Sequence, residues 1–367
     1  MLNRNKRICF FNSAIAWGGG EKWHFDMANA MNKSEFEVFF FVHPDSELMK
    51  RLNSSEIKII PFKVTNLSFL NPFSVNKLKK LLQENSIDVI IINLSRDLKL
   101  AGLAAKRAKL SRIIYRRGSA IPIRNSFLNR YIFKNIITNI IANTIATKET
   151  ILQNNQDIFN KGKIKVIYNG IDLDKLYAQE YSSYYKKEEN EIVIGNLGRL
   201  ENQKAQHYLL DLALELKKRA CNFKILIAGK GRLEQMLKER CTELNLCDKV
   251  IFTGFNDNIK SFYSDIDIFV LTSKWEGFGY VIAEAMAFKK PVVAFNISSN
   301  PEIIDDHVTG YLVDFPDIKL MTDKVEKLIK DESLRRIMGE KGNERVRDLF
   351  VLENKIVEFK EFINSII

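Results

Sequence analysis

Histidine, cysteine and long apolar runs are scarce in this 367-residue chain, and each scarcity removes a class of function. Four histidines, His24, His43, His207 and His307, form no ligand cluster, and none falls between positions 43 and 207. Four cysteines, Cys9, Cys221, Cys241 and Cys247, are scattered without the spacing of a metal site or a disulfide pair. A zinc enzyme is therefore not expected. Cys9 lies in an apolar strand pattern and reads as a buried free thiol of a reducing compartment. No stretch reaches the roughly 18 apolar residues that a membrane-spanning helix needs. The longest apolar zone, "YIFKNIITNIIANTIA" at 131–146, is interrupted by Lys134, Asn135, Asn139 and Asn143, and reads as a helix followed by a buried strand. The start, "MLNRNKRICFFNSAIAW", has the basic-then-apolar outline of a secretion signal, but its apolar run is short and flows into a glycine-rich loop.

What is present is a soluble-protein composition, 46% hydrophobic and 28% charged, in a chain long enough for two domains. Charge is distributed unevenly. Residues 1–165 carry 27 Lys and Arg against 12 acids, a net of +15, whereas residues 166–367 carry 29 against 33, a net of −4. The asymmetry points the first half at a polyanionic partner, whether membrane surface, nucleic acid or acidic substrate, unless it only reflects a lysine-rich composition. No recognition-helix or aromatic-platform motif accompanies it, so specific nucleic-acid binding is not expected.

Strand-like and helix-like segments alternate. "KRICFFNSAI" (6–15), "FEVFFFV" (36–42), "EIKIIPF" (56–62), "IDVIIINL" (87–94) and "SRIIYRRG" (111–118) are apolar throughout, as strands covered on both faces must be. Helical segments separate them, which predicts a parallel α/β domain. "KIKVIYNGIDLDKLY" (163–177) reads as a boundary and 171–191 as a polar linker. A second alternating series starts at "IVIGNLGRL" (192–200), and the closing "NKIVEFKEFINSII" has helical spacing. Two such domains, 1–170 and 192–350, predict a cleft between the carboxyl edges of facing sheets, with the last helix, 351–367, free to complete the first domain.

Three stretches carry chemistry. "WGGGE" (17–21) ends a strand and starts a helix, which suits either a tight turn or a phosphate met by helix amides. In "GRLENQK" (198–204), Arg199 sits on the loop and Lys204 at the head of the following helix, and two cations at a helix N-terminus are unfavourable unless an anion is bound. A guanidinium fork and a point charge suit a diphosphate; a solvated basic turn is the plainer reading. In "SKWEGFGYVIAEAMAF" (273–288), Glu276 lies in a loop and Glu284 on the helix that follows, with Gly277 and Gly279 leaving room for backbone donors. Two acids could accept sugar hydroxyls or work as an acid–base pair in glycoside hydrolysis, and the nearby cations favour a nucleotide sugar.

Together these residues resemble the retaining glycosyltransferases of family 4 (glycosyl transferases group 1). The E-x7-E pattern is met by Glu276 and Glu284, "GRLxxxK" by Gly198, Arg199 and Lys204, and the N-terminal glycine loop by Gly18, Gly19 and Gly20. "VIYNGID" (166–172) and "DHVTGYLV" (306–313) follow in the expected order. The resemblance implies an α/β GT-B fold, two Rossmann-like parallel-sheet domains facing each other across a cleft. It implies that Arg199 and Lys204 hold the donor diphosphate with amides near Gly19 and Gly20, and that Glu284 takes the ribose hydroxyls. Glu276, with Gly277, Phe278 and Gly279, would orient the sugar and serve catalysis. No metal and no cofactor are implied; the donor, UDP- or GDP-linked, is a substrate. The acceptor would be a glycolipid, lipopolysaccharide or polysaccharide chain met by the basic first domain, on an anionic membrane surface at the inner face of the cell membrane, with the enzyme cytoplasmic and peripheral. No oligomeric state is implied. "SFLNRYIFKN" (126–135) reads as an interfacial patch or as an ordinary core-facing helix.

One departure from the family pattern stands out. Many relatives carry a histidine in the loop after the strand that corresponds to 111–118, where this chain has Arg116 and Arg117. A guanidinium is no base near neutral pH but can hold a phosphate or an acidic acceptor, so Arg116 is a candidate catalytic residue through charge stabilisation and, with Arg117 and Trp17, a candidate acceptor residue, unless the arginines are only an exposed pair. An epimerase of the same fold and a non-catalytic subunit are the alternative readings.

Overall fold

The computed structural model describes residues 5–155, 157–183, 185–255 and 258–367. The chain forms two compact units, one from the first 169 residues together with Glu353–Ile367 and the other from Gly170–Leu352. Each is an all-parallel sheet flanked by helices.

In the first unit, strands β1 (Arg7–Asn12), β2 (Glu37–Val42), β3 (Lys58–Pro61), β4 (Val89–Ile92), β5 (Arg112–Arg117), β6 (Asn139–Ala142) and β7 (Ile164–Val166) lie in the order β3-β2-β1-β4-β5-β6-β7. Cys9 pairs in register with Phe39 on one side and Ile90 on the other. Aromatic and β-branched side chains fill both faces, and all four residues of β4 are buried. Crossover helices begin at polar caps: Asn71 accepts from the Phe73 amide ahead of Pro72–Glu84, and Ser126 from the Asn129 amide ahead of Phe127–Asn135. The last helix, Leu352–Ile366, returns to this unit, and the ring of Phe359 meets Trp23 edge-on at 5.3 Å between centroids.

The second unit has β8 (Ile192–Leu197), β9 (Phe223–Ala228), β10 (Val250–Gly254), β11 (Ile268–Leu271), β12 (Val292–Phe295) and β13 (Gly310–Val313), ordered β10-β9-β8-β11-β12-β13. In both sheets the order reverses beside the unit's first strand, between β1 and β4 and between β8 and β11. Outside the carboxyl ends at such a reversal is where open α/β sheets hold ligands. The β8–β11 pairing is short, covering Ile194 with Ile268 and Gly195 with Phe269. Beyond it the Asn196 side-chain amide donates to the Val270 carbonyl at 2.7 Å, satisfying a group that the diverging ladder leaves behind.

One expectation needs correction. Residues 171–191 are not a free linker but part of the second unit. They include the helix Leu173–Ala178, the Tyr177 hydroxyl donates to the Ala287 carbonyl at 2.8 Å, and the Tyr181 hydroxyl donates to Asp265 at 2.8 Å. The tyrosines, inconspicuous in a polar stretch, are the anchors. All four cysteines are free thiols, and Cys247 Sγ lies 3.5 Å from the Thr242 hydroxyl. Among the described residues, no helix is long and apolar enough to cross a membrane.

Candidate active site

Both candidate sites grow from the loops at the sheet reversals. In the second unit, β8 ends at Leu197, and the chain turns through Gly198, Arg199 and Leu200 against the loop that follows β9. That neighbour must be glycine-rich. A Cβ on Gly229 would stand 2.0 Å from the Gly198 carbonyl oxygen, and one on Gly231 would stand 2.3 Å from that of Leu200. Gln206, buried, donates its side-chain amide to the Arg199 carbonyl at 3.0 Å. The backbone of Arg199 is thus fixed while its guanidinium is exposed and, among the described residues, makes no ion pair or hydrogen bond.

The loop after β11 is stitched to this one. Thr272 Oγ1 donates to the Lys204 carbonyl at 3.1 Å, the Lys274 amide to the Gln203 carbonyl at 2.8 Å, and Gln203 Nε2 to the Trp275 carbonyl at 2.9 Å. Lys204 precedes the helix His207–Lys218 rather than opening it, and its methylenes lie along Gly198. Its ammonium donates to Glu276 Oε1 at 2.6 Å, and Ser273 Oγ donates to the same oxygen at 2.6 Å. The sequence shows the acid and the lysine; it does not show that they touch.

Gly279 adopts φ +74° at the start of the helix Tyr280–Ala287, a left-handed conformation that suits glycine. Phe278, grouped above with the sugar-orienting residues, turns its ring into the core against Phe350 and Tyr280, so its side chain is an anchor for the loop. Glu284 lies one turn into the helix and accepts from the Tyr263 hydroxyl at 3.3 Å. Tyr263 is wholly buried, stacked on Phe288, and burial beside Glu284 holds its hydroxyl well above the usual tyrosine range, so it remains a neutral donor.

In the first unit the helix Gly19–Asn32 starts at Gly18, and among the described residues no side chain caps it, so the amides of Gly19 and Gly20 can meet an anion. A Cβ on Gly20 would stand 2.7 Å from the Asn93 side-chain nitrogen, so the loop folds tightly over the end of β4. Asn12 and Asn93 both donate to Glu21 Oε1, at 3.3 and 3.4 Å, and Arg116 donates to Asn93 at 3.3 Å and to Asn169 at 2.9 Å. Arg116 is only 2% exposed and its guanidinium lies 5.1 Å from the centre of the Trp23 ring, which overturns the exposed-pair reading for this residue. Successive strand residues face opposite ways, and Arg117 accordingly goes elsewhere, donating to the Tyr115 hydroxyl at 3.1 Å and the Ile121 carbonyl at 2.6 Å. The contacts of Trp17 are with Phe25 and with Arg51, whose guanidinium lies 4.3 Å from the ring centre. His24, fully buried against Phe10 and Phe40, is held well below the usual histidine range by burial and by Arg116, and is a neutral core residue.

The residue-by-residue reading missed Tyr263, Asn93 and Asn169, polar residues distant in sequence from the acids and cations they hold, and Ser273, only three residues from Glu276 but with nothing to mark it as a partner. Gly229 and Gly231 left a usable signal: "GKG" directly after the apolar strand "FKILIA".

The chain matches the family described as Glycosyl transferases group 1 over residues 178–345 and Glycosyltransferase Family 4 over residues 17–175. It is 31% identical to the capsular polysaccharide biosynthesis glycosyltransferase CapM of Staphylococcus aureus over 186 residues, half of this chain and 49% of that protein. The match thus spans about half the length of that curated relative. An uncharacterised Haemophilus influenzae glycosyltransferase is 27% identical over 97% of this chain and 99% of its own length. Anabaena HepE, crystallised with UDP, superposes with a TM-score of 0.83 over 98% of this chain and all of that one, at 22% identity, a likeness of fold. With the two all-parallel Rossmann-like sheets and the Glu276–Glu284 spacing, these matches place the chain among the group 1 glycosyltransferases of family 4, enzymes of the GT-B fold.

Proposed function

We propose that this glycosyltransferase moves a sugar, with retention of anomeric configuration and without a metal, from a nucleoside diphosphate sugar to a surface-polysaccharide, lipopolysaccharide or lipid-linked acceptor. The observation that carries the donor reading is the convergence of Arg199, Lys204, Ser273 and Glu276 at the sheet reversal of the second unit. Arg199 presents an uncommitted guanidinium for the diphosphate, and Lys204 keeps two N–H groups beyond the one given to Glu276. Glu284, aimed by Tyr263, accepts from the ribose hydroxyls, and Glu276 from the sugar. In the transfer the bond from the anomeric carbon to the phosphate oxygen breaks, the acceptor oxygen bonds to that carbon on the same face, and the acceptor proton leaves with the phosphate. Arg199 and Lys204 stabilise the charge that develops on the leaving diphosphate, which is the office a metal performs elsewhere.

The first unit is assigned to the acceptor. Its net positive charge, the free helix amides at Gly19 and Gly20, and the buried guanidinium of Arg116 suit a phosphorylated or acidic acceptor. The helix Phe127–Asn135 supports a peripheral position on an anionic membrane at the cytoplasmic face. It buries Ile132 and Phe133 but leaves Phe127 87% and Tyr131 44% exposed beside Arg130 and Lys134. CapM, named for capsular polysaccharide biosynthesis, suggests the acceptor class.

The test is transfer from a panel of UDP- and GDP-sugars to a membrane extract in the presence of EDTA, with the linkage of the product read by NMR. A product of the donor's own anomeric configuration, formed equally with EDTA, supports the reading. Inversion, or loss of transfer restored by a divalent cation, contradicts it.

A further inference from the structure

Glu276 and Lys204 are assigned to one ligand, yet they are bonded to each other. The ammonium and Glu276 Oε1 are 2.6 Å apart, and the two side chains are only 14% and 7% exposed. Ser273 Oγ, fully buried, donates to the same Oε1, whereas Oε2 has no hydrogen bond among the described residues. One carboxylate oxygen is thus fixed on the protein and the other is left to accept from a ligand.

A diphosphate drawn to Lys204 must approach a carboxylate that already holds part of that charge. In a nearly buried site the repulsion between the two anions is weakly screened. An intact donor compensates, because its sugar brings hydroxyl groups that donate to Oε2. A nucleoside diphosphate stripped of its sugar brings the anion without the hydroxyls. We infer that the Lys204–Glu276 pair makes the site discriminate between the donor and its spent nucleoside diphosphate. Glu276 weakens the grip on the product once the sugar has gone and so speeds its release. Glu276 is then a specificity-determining residue of the turnover cycle in addition to a sugar contact. This rests on the donor reading above.

The experiment is titration calorimetry with UDP and with GDP on the wild type, Glu276→Gln, Ser273→Ala and Lys204→Ala, each checked for a wild-type melting profile. Gln keeps the shape of Glu276 and its bond from Ser273 but removes the charge. The nucleotide that binds the wild type should bind Glu276→Gln at least about fivefold more tightly, a gain that persists with added salt because the two charges meet in a nearly buried site. Ser273→Ala takes a donor from Oε1, strengthens its demand on Lys204 and should weaken the same nucleotide about twofold or more. Lys204→Ala should lose most of the binding. Equal or weaker binding by Glu276→Gln, with Lys204→Ala still impaired, overturns the discrimination and leaves the donor site standing. Binding unaffected by Lys204→Ala, or none by the wild type, overturns the donor site and this inference with it.

Discussion

The α-carbon of Gly229 stands so near the carbonyl of Gly198 that a methyl group there would come within 2.0 Å of the oxygen. Gly229 also holds φ +137°, in the region that disfavours residues with side chains. The loop after β9 and the loop that carries Arg199 can therefore pack only with glycine at this position. Gly229→Ala should push them apart, costing about 2 kcal/mol or more of stability and at least about tenfold in nucleotide affinity. Denaturant melts and calorimetry read the two effects separately.

Tyr263 reaches Glu284 from beneath the helix that carries it, and its hydroxyl also lies 3.0 Å from the Val281 carbonyl. Tyr263→Phe keeps the ring stack on Phe288 and deletes only the donor. Loss of one such bond should lower nucleotide affinity about three- to tenfold. The donor KM should rise while kcat changes little, and Glu284→Gln in the same background should add less than it does alone.

Asp97 offers a pH signature for the first unit. Burial pushes its carboxyl up to about 6, against the lowering pull of the Ser13 amide and hydroxyl bonds and of Arg96. Native Asp97 therefore binds its proton more tightly than the unfolded chain does. The associated stability is complete below pH 4 and is lost as pH rises through 6. Asp97→Asn removes the titration. The wild type should lose about 2 kcal/mol relative to this variant between pH 4 and pH 7, because each tenfold difference in proton affinity between the folded and unfolded chain is worth about 1.4 kcal/mol and the unfolded group is already partly deprotonated at pH 4. Paired denaturant titrations across that range measure the difference directly.

Phe127 and Tyr131 project from the helix Phe127–Asn135 into solvent among basic residues. Phe127→Glu with Tyr131→Glu should reduce co-sedimentation with phosphatidylglycerol vesicles by about tenfold, without a shift in melting temperature, because neither side chain is buried. Unchanged sedimentation would move the membrane contact away from this helix.

Much of this was legible in the sequence. The apolar strands, the helices between them, and the acids and cations of the proposed donor site announce themselves because each depends on local pattern or on a fixed spacing. The polar partners do not. Asn93 and Asn169 flank Arg116 in space from positions 23 and 53 residues away, and nothing in their local sequence distinguishes them from surface asparagines. Arg116 and Arg117 look alike as a dipeptide, yet strand geometry buries one and spends the other on a loop carbonyl. The linker reading of 171–191 failed for a different reason, since its polarity hides Tyr177 and Tyr181, which hold the segment on the second unit.

The proposed function places a nucleoside diphosphate at the carboxyl edge of the second unit, held by Arg199 and Glu284. The most direct measurement is calorimetric binding of UDP and GDP to the wild type, Arg199→Ala and Glu284→Ala. One nucleotide should bind the wild type and be weakened at least about tenfold by each substitution, Arg199 through the phosphates and Glu284 through the ribose. Full affinity in both variants would contradict it.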